Sequence, residues 1–519
     1  MSLESLPKTN YGLSAAAGEE TDKFFDTSHL ITDIKGRSVR GGAVTITAQG
    51  IKFLLQTGST AALARLLTPS DFGLIAMVSV FTEFVSLFKD LGLSMATIQK
   101  KNITHQQVTN LFWINIAMSC FLMFVVAGIS PFVALFYGEP RLILITIAIG
   151  STFIFGGLIA QHTALMRRQM RFTALAFVEI TSMTAGIAAA IVSALLGLSY
   201  WSLVIMLAVR GIVSVYMVWI LSPWRPGRPT RSSGVRPMIA FGGSLTASNI
   251  LYYFTHHADN AIIGYALGST LLGFYTKAYA LLTLPMDQIN APLHNIMMPA
   301  LSRLQAEPER YRSFYLRALT SVAIVAMPLV VFMFVSANEI VNILLGSQWI
   351  AAAATFRYLG PAAFAASIGY APGWLFISLG RAGLAFRWNI LSTPVIIIGF
   401  LIGVNWGING VALSFSITFT ILMIFGLIVA SHNSPVLFFD IVESVAVPVI
   451  CSVLAGLGAN FVRRFMLDLN VFLRFIACGL VFIFCYFACV MATSAGRHSV
   501  RSMLNALSLL RAKPLENII

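Results

Sequence analysis

Charge is what this sequence has least of. Asp, Glu, Lys and Arg together supply 10% of its 519 residues, where soluble domains use roughly 25%. That scarcity excludes a water-soluble globular fold: with 57% hydrophobic residues and a mean hydropathy of +0.82, too little polar surface remains to face water on every side. Cysteine is scarce too. The five present (Cys120, Cys451, Cys478, Cys485, Cys489) all lie in apolar segments without the paired spacing of a metal site or a disulfide framework, so they read as small apolar side chains. Acidic residues number 20 against 34 basic ones, a net charge of +14. The excess is not a nucleic-acid footprint, because the basic residues sit in short clusters between apolar runs, and no nucleic-acid partner is expected.

Enzyme signatures are also absent. There is no phosphate-binding Gly-Lys-Ser/Thr loop, no HExxH and no DxD-type acidic pair in a soluble segment. No stretch outside the apolar runs exceeds the first 36 residues, so an ATP-driven pump or membrane glycosyltransferase has no room for its soluble part without a separate subunit. The reading is of a non-enzyme with no catalytic residue, no metal and no cofactor.

What the sequence does have is long apolar runs. Crossing a hydrocarbon core of about 30 Å takes about 20 residues of helix, and runs this long do not fit barrel strands. They fall near 41–66, 71–98, 108–135, 141–164, 172–197, 199–221, 238–266, 271–299, 315–337, 351–379, 387–404, 406–430, 437–462 and 470–493. The fold class is an all-α polytopic membrane protein of about fourteen transmembrane helices. Basic residues mark alternate connections: Lys35, Arg37 and Arg40; Lys100 and Lys101; Arg167, Arg168 and Arg171; Arg303, Arg310, Arg312 and Arg317; Arg381 and Arg387; then Arg497, Arg501, Arg511 and Lys513. By the positive-inside rule both termini are cytoplasmic. Arg463, Arg464 and Arg474 disagree, since they flank a loop this scheme puts outside.

The run SPWRPGRPTRSSGVR at 222–236 combines Pro, Gly, Ser and four arginines and predicts an exposed linker. It divides the chain into a polar, disordered cytoplasmic tail (1–36), a six-helix lobe (37–221), the linker (222–236), a second six-helix lobe (237–430), two further helices (431–493) and a cytoplasmic tail (494–519). An offset of 200 residues places Gly42 on Gly242, Ala61 on Ala261, Leu67 on Leu267 and Gly73 on Gly273, and GLSYWSL at 197–203 matches GINGVAL at 407–413. Six is even, so the two lobes form a parallel pseudo-repeat about an axis along the membrane normal.

Ionisable residues inside such spans are costly and mark function by default. In the first span Thr45, Gln49, Lys52, Gln56 and Ser59 follow three- and four-residue steps and form one polar stripe with Lys52 near mid-depth. Arg210, Lys277 and Arg357 add cations. These four are candidates for holding an anionic head group in transit, with Gln49, Gln56, Glu83 and Tyr252 as polar lining. Asp259 and His256 are candidates for a coupling proton, and Asp287, Asn290 and His294 share a face further on. The competing reading is structural. Lys52 would then pair with Glu83 at similar depth, the arginines would bond neighbouring carbonyls, and the histidines would be satisfied polar residues.

The segments ARLLTPSDFGLIAM (64–77) and DLGLSMATIQKK (90–101) resemble the opening helices of bacterial Wzx-type polysaccharide flippases, which belong to the multidrug/oligosaccharidyl-lipid/polysaccharide exporter superfamily. LGFYTKAYALLTLPMDQI (272–289), PALSRLQAEPERYRSFY (299–315) and LLGSQWIAAAATFRYL (344–359) are similar to its colanic acid and exopolysaccharide branch. The resemblance covers roughly residues 37–430. It implies an inner-membrane protein of a Gram-negative bacterium that moves undecaprenyl-diphosphate-linked oligosaccharide repeat units to the periplasmic leaflet by alternating access, ahead of a polysaccharide polymerase and chain-length machinery. The related peptidoglycan-precursor flippases use central arginines, whereas the first span here offers a lysine. A cation-coupled multidrug exporter of the same superfamily is the alternative, and a polysaccharide polymerase is a remoter one.

Overall fold

In the computed structural model, the described residues are 34–90, 92–100, 103–230, 236–466, 468, 470–494, 496 and 497, and helices are the only regular elements among them. Both predicted tails fall mainly outside this set. Eight helical stretches within it are long and apolar enough to cross a membrane, so the chain is a multi-pass membrane protein. Two compact units divide it: residues 1–67 with 78–253, and residues 68–77 with 254–519.

The first unit contains α1 (Ile34–Leu66), the later part of α2 (Pro69–Ser86), α3 (Leu93–Gln99), α4 (His105–Tyr137), α5 (Leu142–Ser151), α6 (Phe153–Arg168), α7 (Phe172–Leu195) and α8 (Trp201–Leu221). Helix α7 packs on α1 and α8, α4 on α5 and α6, and α6 on α3 and α8. A capping box starts α4: Thr104 Oγ1 accepts from the Gln107 amide and Gln107 Oε1 from the Thr104 amide, each at 3.3 Å. The chain leaves α4 through Gly138 in the left-handed region (φ 66°), a conformation that costs glycine little.

Three spans expected to be continuous are broken, two of them in this part of the chain. The 71–98 run divides into α2 and α3, because Asp90 turns its carboxylate onto Ser94, accepting from the hydroxyl at 2.7 Å and the amide at 3.2 Å, while Gly92 takes φ 67°. The 141–164 run breaks at Thr152, whose hydroxyl donates to the Ile149 carbonyl at 2.7 Å.

The linker is exposed at 223, 225 and 227–230, yet it is also held in place. Residues 222–230 are laid along α4 as a strap: Trp113 Nε1 donates to the Gly227 carbonyl (2.9 Å), the Thr230 amide to Asn110 Oδ1 (2.9 Å), and Trp224 Nε1 to His105 Nδ1 (3.2 Å). Trp224 is buried in the apolar cluster of Val108, Leu111, Phe112 and Leu165. Arg225 donates to the Trp219 carbonyl in the last turn of α8 and to the Trp224 carbonyl within the strap. A Pro/Gly/Arg composition says the segment is not helical. It does not say that one tryptophan and a row of backbone groups will find partners. Residues 231–235 lie outside the described set.

The second unit takes up the start of α2, α9 (Arg236–Arg303) from Phe254 onward, α10 (Pro308–Val335), α11 (Ala337–Leu344), α12 (Ile350–Ala366), α13 (Ala371–Ser378), α14 (Ala382–Gly403), α15 (Gly407–Ser431), α16 (Phe438–Arg464) and α17 (Val471–Ala492). Gly268 (φ 83°, ψ 176°) breaks α9 between the two predicted spans. The predicted 351–379 span is α12 and α13 with a turn between, Pro372 opening α13. Helix α10 packs on α16 and α12, α15 on α12 and α14, and α17 on α16 and α11. The last two helices are tied in by polar contacts. Arg312 grips Asp440 with Nε–Oδ2 at 2.8 Å and Nη2–Oδ1 at 2.6 Å, and Tyr486 Oη donates to the Ile324 carbonyl at 2.8 Å.

The TPSDFG run of the resemblance has a local physical reason. The Thr68 amide and hydroxyl both donate to Asp71 Oδ2 (2.8 and 2.7 Å), capping the start of α2 with Pro69 as its first residue. Gly73 and Gly273 then face each other's segments reciprocally. A Cβ on Gly73 would lie 1.7 Å from the Ser269 carbonyl oxygen, and one on Gly273 would lie 1.9 Å from that of Pro69. Both the glycines and their partners are 200 residues apart, the offset of the sequence self-match. Gly197 (φ 78°) and Gly407 (φ 70°), paired in the second match, both turn the chain through left-handed backbone.

Candidate functional site

The polar stripe of α1 is oriented by its packing on α7. Lys52 Nζ donates to Glu179 Oε2 of α7 at 2.8 Å, so its carboxylate partner is Glu179, where the sequence suggested Glu83. The pair is accessible, with side-chain exposures of 25% and 52%. Gln49 is half-buried, and Gln56 and Glu83 are exposed. Arg210 lies exposed on α8 at a close helix approach: a Cβ on Gly186 of α7 would sit 2.8 Å from the Met206 carbonyl oxygen and 3.1 Å from Arg210 Cβ. Thus Lys52 and Arg210 border the two helices that flank α7.

The sequence reading passed over a third cation of this unit. Lys89 sits in the irregular turn between α2 and α3, its Nζ 5.5 Å from the centre of the Phe153 ring. Its side chain occupies a notch that exists because residue 156 is glycine; a Cβ there would lie 1.8 Å from Lys89 Cε. Beside it Asp90 Oδ1 accepts from Asn115 Nδ2 at 3.2 Å. The signal was the Lys-Asp pair inside an otherwise apolar run, which no helix buries without breaking.

In the second unit the candidates occupy separate places. Lys277 Nζ lies 3.7 Å from the centre of the Phe72 ring, a cation–π contact, and Phe72 in turn packs edge-on against Trp349 at 5.5 Å. Asp259 is buried and accepts from Tyr275 Oη (2.9 Å) and the Asn260 amide (2.8 Å), stapling the two arms of α9 across the Gly268 break. The side chains of Tyr252, His256, Asp287, Asn290 and His294 lie outside the described residues. Arg357 is half-buried on α12 and opens on a cavity of ≈ 530 Å³ that it shares with Arg463.

A buried acid was also missed. Glu339 of α11, 3% exposed, lies 3.7 Å from Arg463 Nη1 and 3.4 Å from Arg474 Nε. These are two of the three arginines that disagreed with the charge pattern of the other loops, and the buried carboxylate offsets part of their charge, which a count of Lys and Arg by loop does not register. Among the described residues no group of three or more His, Cys, Asp or Glu could hold a metal ion.

Residues 62–354 match the family model described as polysaccharide biosynthesis protein. The chain is 25% identical over 363 residues to the lipopolysaccharide biosynthesis protein WzxC of Escherichia coli (strain K12), covering 68% of this chain and 72% of that one. It is 24% identical over 368 residues to the teichuronic acid biosynthesis protein TuaB of Bacillus subtilis (strain 168), covering 70% and 74%. Against the succinoglycan biosynthesis transport protein ExoT of Rhizobium meliloti (strain 1021), identity is 25% over 350 residues, covering 66% and 68%. Among solved structures, the lipid II flippase MurJ in an inward closed conformation superposes with a TM-score of 0.68 at 13% identity, over 87% of this chain and 98% of MurJ. An inward-facing multidrug resistance MATE family transporter of the MOP superfamily gives 0.59 at 14%, over 72% and 92%. At such identities these two establish the fold alone.

Proposed function

Because the chain belongs to the polysaccharide biosynthesis protein family, we propose that it is a flippase for undecaprenyl-diphosphate-linked oligosaccharide repeat units, working by alternating access in the bacterial cytoplasmic membrane with both termini cytoplasmic. The observation that carries this reading is the pairing of that family with a MurJ-like fold: relatives named for polysaccharide biosynthesis and transport, on a scaffold shared with a lipid II flippase. A lipid-linked sugar sets two physical demands. Its diphosphate needs cations where no bulk water solvates it, and its sugars need a polar path while the isoprenoid tail stays in lipid.

Lys52 and Arg210 in the first unit are the cations assigned to the diphosphate. Glu179 holds Lys52 when no anion is present. An arriving diphosphate exchanges one partly exposed ion pair for another, a step with little cost because such pairs contribute only about 0–1 kcal/mol. Gln49 and Gln56 lie one turn on either side of Lys52 and offer amide hydrogen bonds to sugar hydroxyls. The unit delivered to the far leaflet is the substrate of a polymerase.

Deleting the gene and locating the lipid-linked repeat unit tests this. Loss of surface polymer with single units trapped on the cytoplasmic face is the expected result. Single units accumulating on the periplasmic face would assign polymerisation instead. Unchanged polymer would favour a multidrug exporter, the reading the MATE-like fold and the buried Asp259 keep in play.

A further inference from the structure

The ≈ 530 Å³ cavity beside Arg357 has a composition of its own. Its walls come from α10, α12, α15 and α16 and are apolar except for Arg357, Arg463, Asn460 and Thr420. Phe334 and Leu457 belong to the wall and remain 42% and 61% exposed, so that side of the cavity opens on an apolar part of the unit's surface. Arg463 is partly neutralised: its Nη1 lies 3.7 Å from Glu339 and donates to the Val335 carbonyl at 3.2 Å. Arg357 has no carboxylate within ion-pair distance among the described residues. It lies seven residues into α12, about 10 Å along the helix from its start, while Arg463 is one residue from the end of α16. The charged end of the cavity is thus near the helix termini, at head-group level, and the apolar part extends inward.

The geometry points to a lateral binding site for an anionic phospholipid of the bilayer, its phosphodiester held by Arg357 and Arg463 and its acyl chains lying against Phe334 and Leu457. A guanidinium left without a counter-ion in an apolar wall requires an anion, and the planar fork of arginine fits phosphate oxygens. Glu339 is set between Arg463 and Arg474 while Arg357 makes no direct ion pair, so this end of the cavity keeps a net positive charge that an anionic head group complements. This site is independent of the transport reading, and no part of it uses Lys52, Arg210 or Lys277.

Native mass spectrometry of the purified full chain, titrated in turn with phosphatidylglycerol, phosphatidylcholine and undecaprenyl phosphate, decides it. Wild-type protein retains phosphatidylglycerol, and Arg357→Gln lowers that retention about tenfold, the loss expected for one charge-assisted contact. Val453→Trp provides a second arm, because it fills the cavity from a wall position that is 45% exposed and leaves both arginines in place. It lowers retention to a similar degree whether or not the arginine variant folds. Equal retention of phosphatidylglycerol and phosphatidylcholine, or retention unchanged in Val453→Trp, overturns the site. Preference for undecaprenyl phosphate overturns the phospholipid assignment and gives the cavity to the isoprenoid substrate.

Discussion

The two units handle membrane-embedded charge in opposite ways. In the first, two cations stay accessible: Lys52 shares a half-open pair with Glu179, and Arg210 is exposed on α8. In the second, the strongest arrangements are closed. Glu339 is buried between two arginines, and Asp259 is buried and stapled by Tyr275. An exposed pair contributes about 0–1 kcal/mol and exchanges readily. Removing one partner of a buried pair costs about 3–5 kcal/mol, because it strands the other. The contrast separates charges placed to be given up to a ligand from charges placed to hold helices together.

Glu339→Gln should therefore have the largest effect on stability. It leaves Arg463 and Arg474 facing a neutral amide, and a loss of about 3–5 kcal/mol is expected, read as a lowered Tm in detergent. A Tm within a degree or two of wild type would mean that the buried cluster is solvated, and the contrast between the units would fail. Next comes Gly273→Ala, whose Cβ would enter the Pro69 carbonyl at 1.9 Å; overpacking of this kind costs about 1–3 kcal/mol. Gly50→Ala on α1 is the matched control. Nothing lies within 4 Å of its new methyl, so it should be neutral or stabilising by up to about 1 kcal/mol. Similar losses in both would remove the reason given for the glycine pair at a 200-residue offset.

Removing the cap hydroxyl by Thr68→Ala should cost about 1 kcal/mol, since Asp71 keeps its bond from the residue-68 amide and loses both hydroxyl contacts, the one its carboxylate accepts at 2.7 Å and the one its amide donates at 3.4 Å. Thr68→Ser should restore most of it. Comparing their melting temperatures checks whether the cap or the threonine methyl matters.

Helices and their rough limits were legible because apolar run length is a strong signal. The sites of breakage were not. A run such as 71–98 looks continuous until Asp90 turns back onto Ser94, four residues on, and accepts from Asn115 of α4, a partner that only tertiary contact supplies. The linker shows the same limit from the other side. Its composition excluded a helix but could not reveal that Asn110 and Trp113 would bind it. Spacing placed the stripe of α1 on one face, yet it could not choose between Glu83 and Glu179 as the partner of Lys52. Both sit at compatible depths, and which helix packs beside α1 decides. Glu339 was invisible for a related reason, since one acid among apolar residues carries no periodic pattern of its own.

The smallest expected change in stability carries the sharpest functional test. Glu179→Gln removes the carboxylate from a pair that is 25% and 52% exposed, so Tm should move by no more than about 1 kcal/mol corresponds to. If the carboxylate competes with substrate diphosphate for Lys52, the variant should bind the lipid-linked repeat unit more tightly, by about two- to fivefold, since the energy of a half-exposed pair bounds the gain. Lys52→Ala should bind it more weakly and lower polysaccharide export while inserting normally, and adding Glu179→Gln to it should change nothing further. That non-additivity is the decisive feature. A purely structural pair predicts the reverse: both single variants lose a little stability, substrate binding stays at the wild-type level in each, and Lys52 belongs with the holding charges of the second unit.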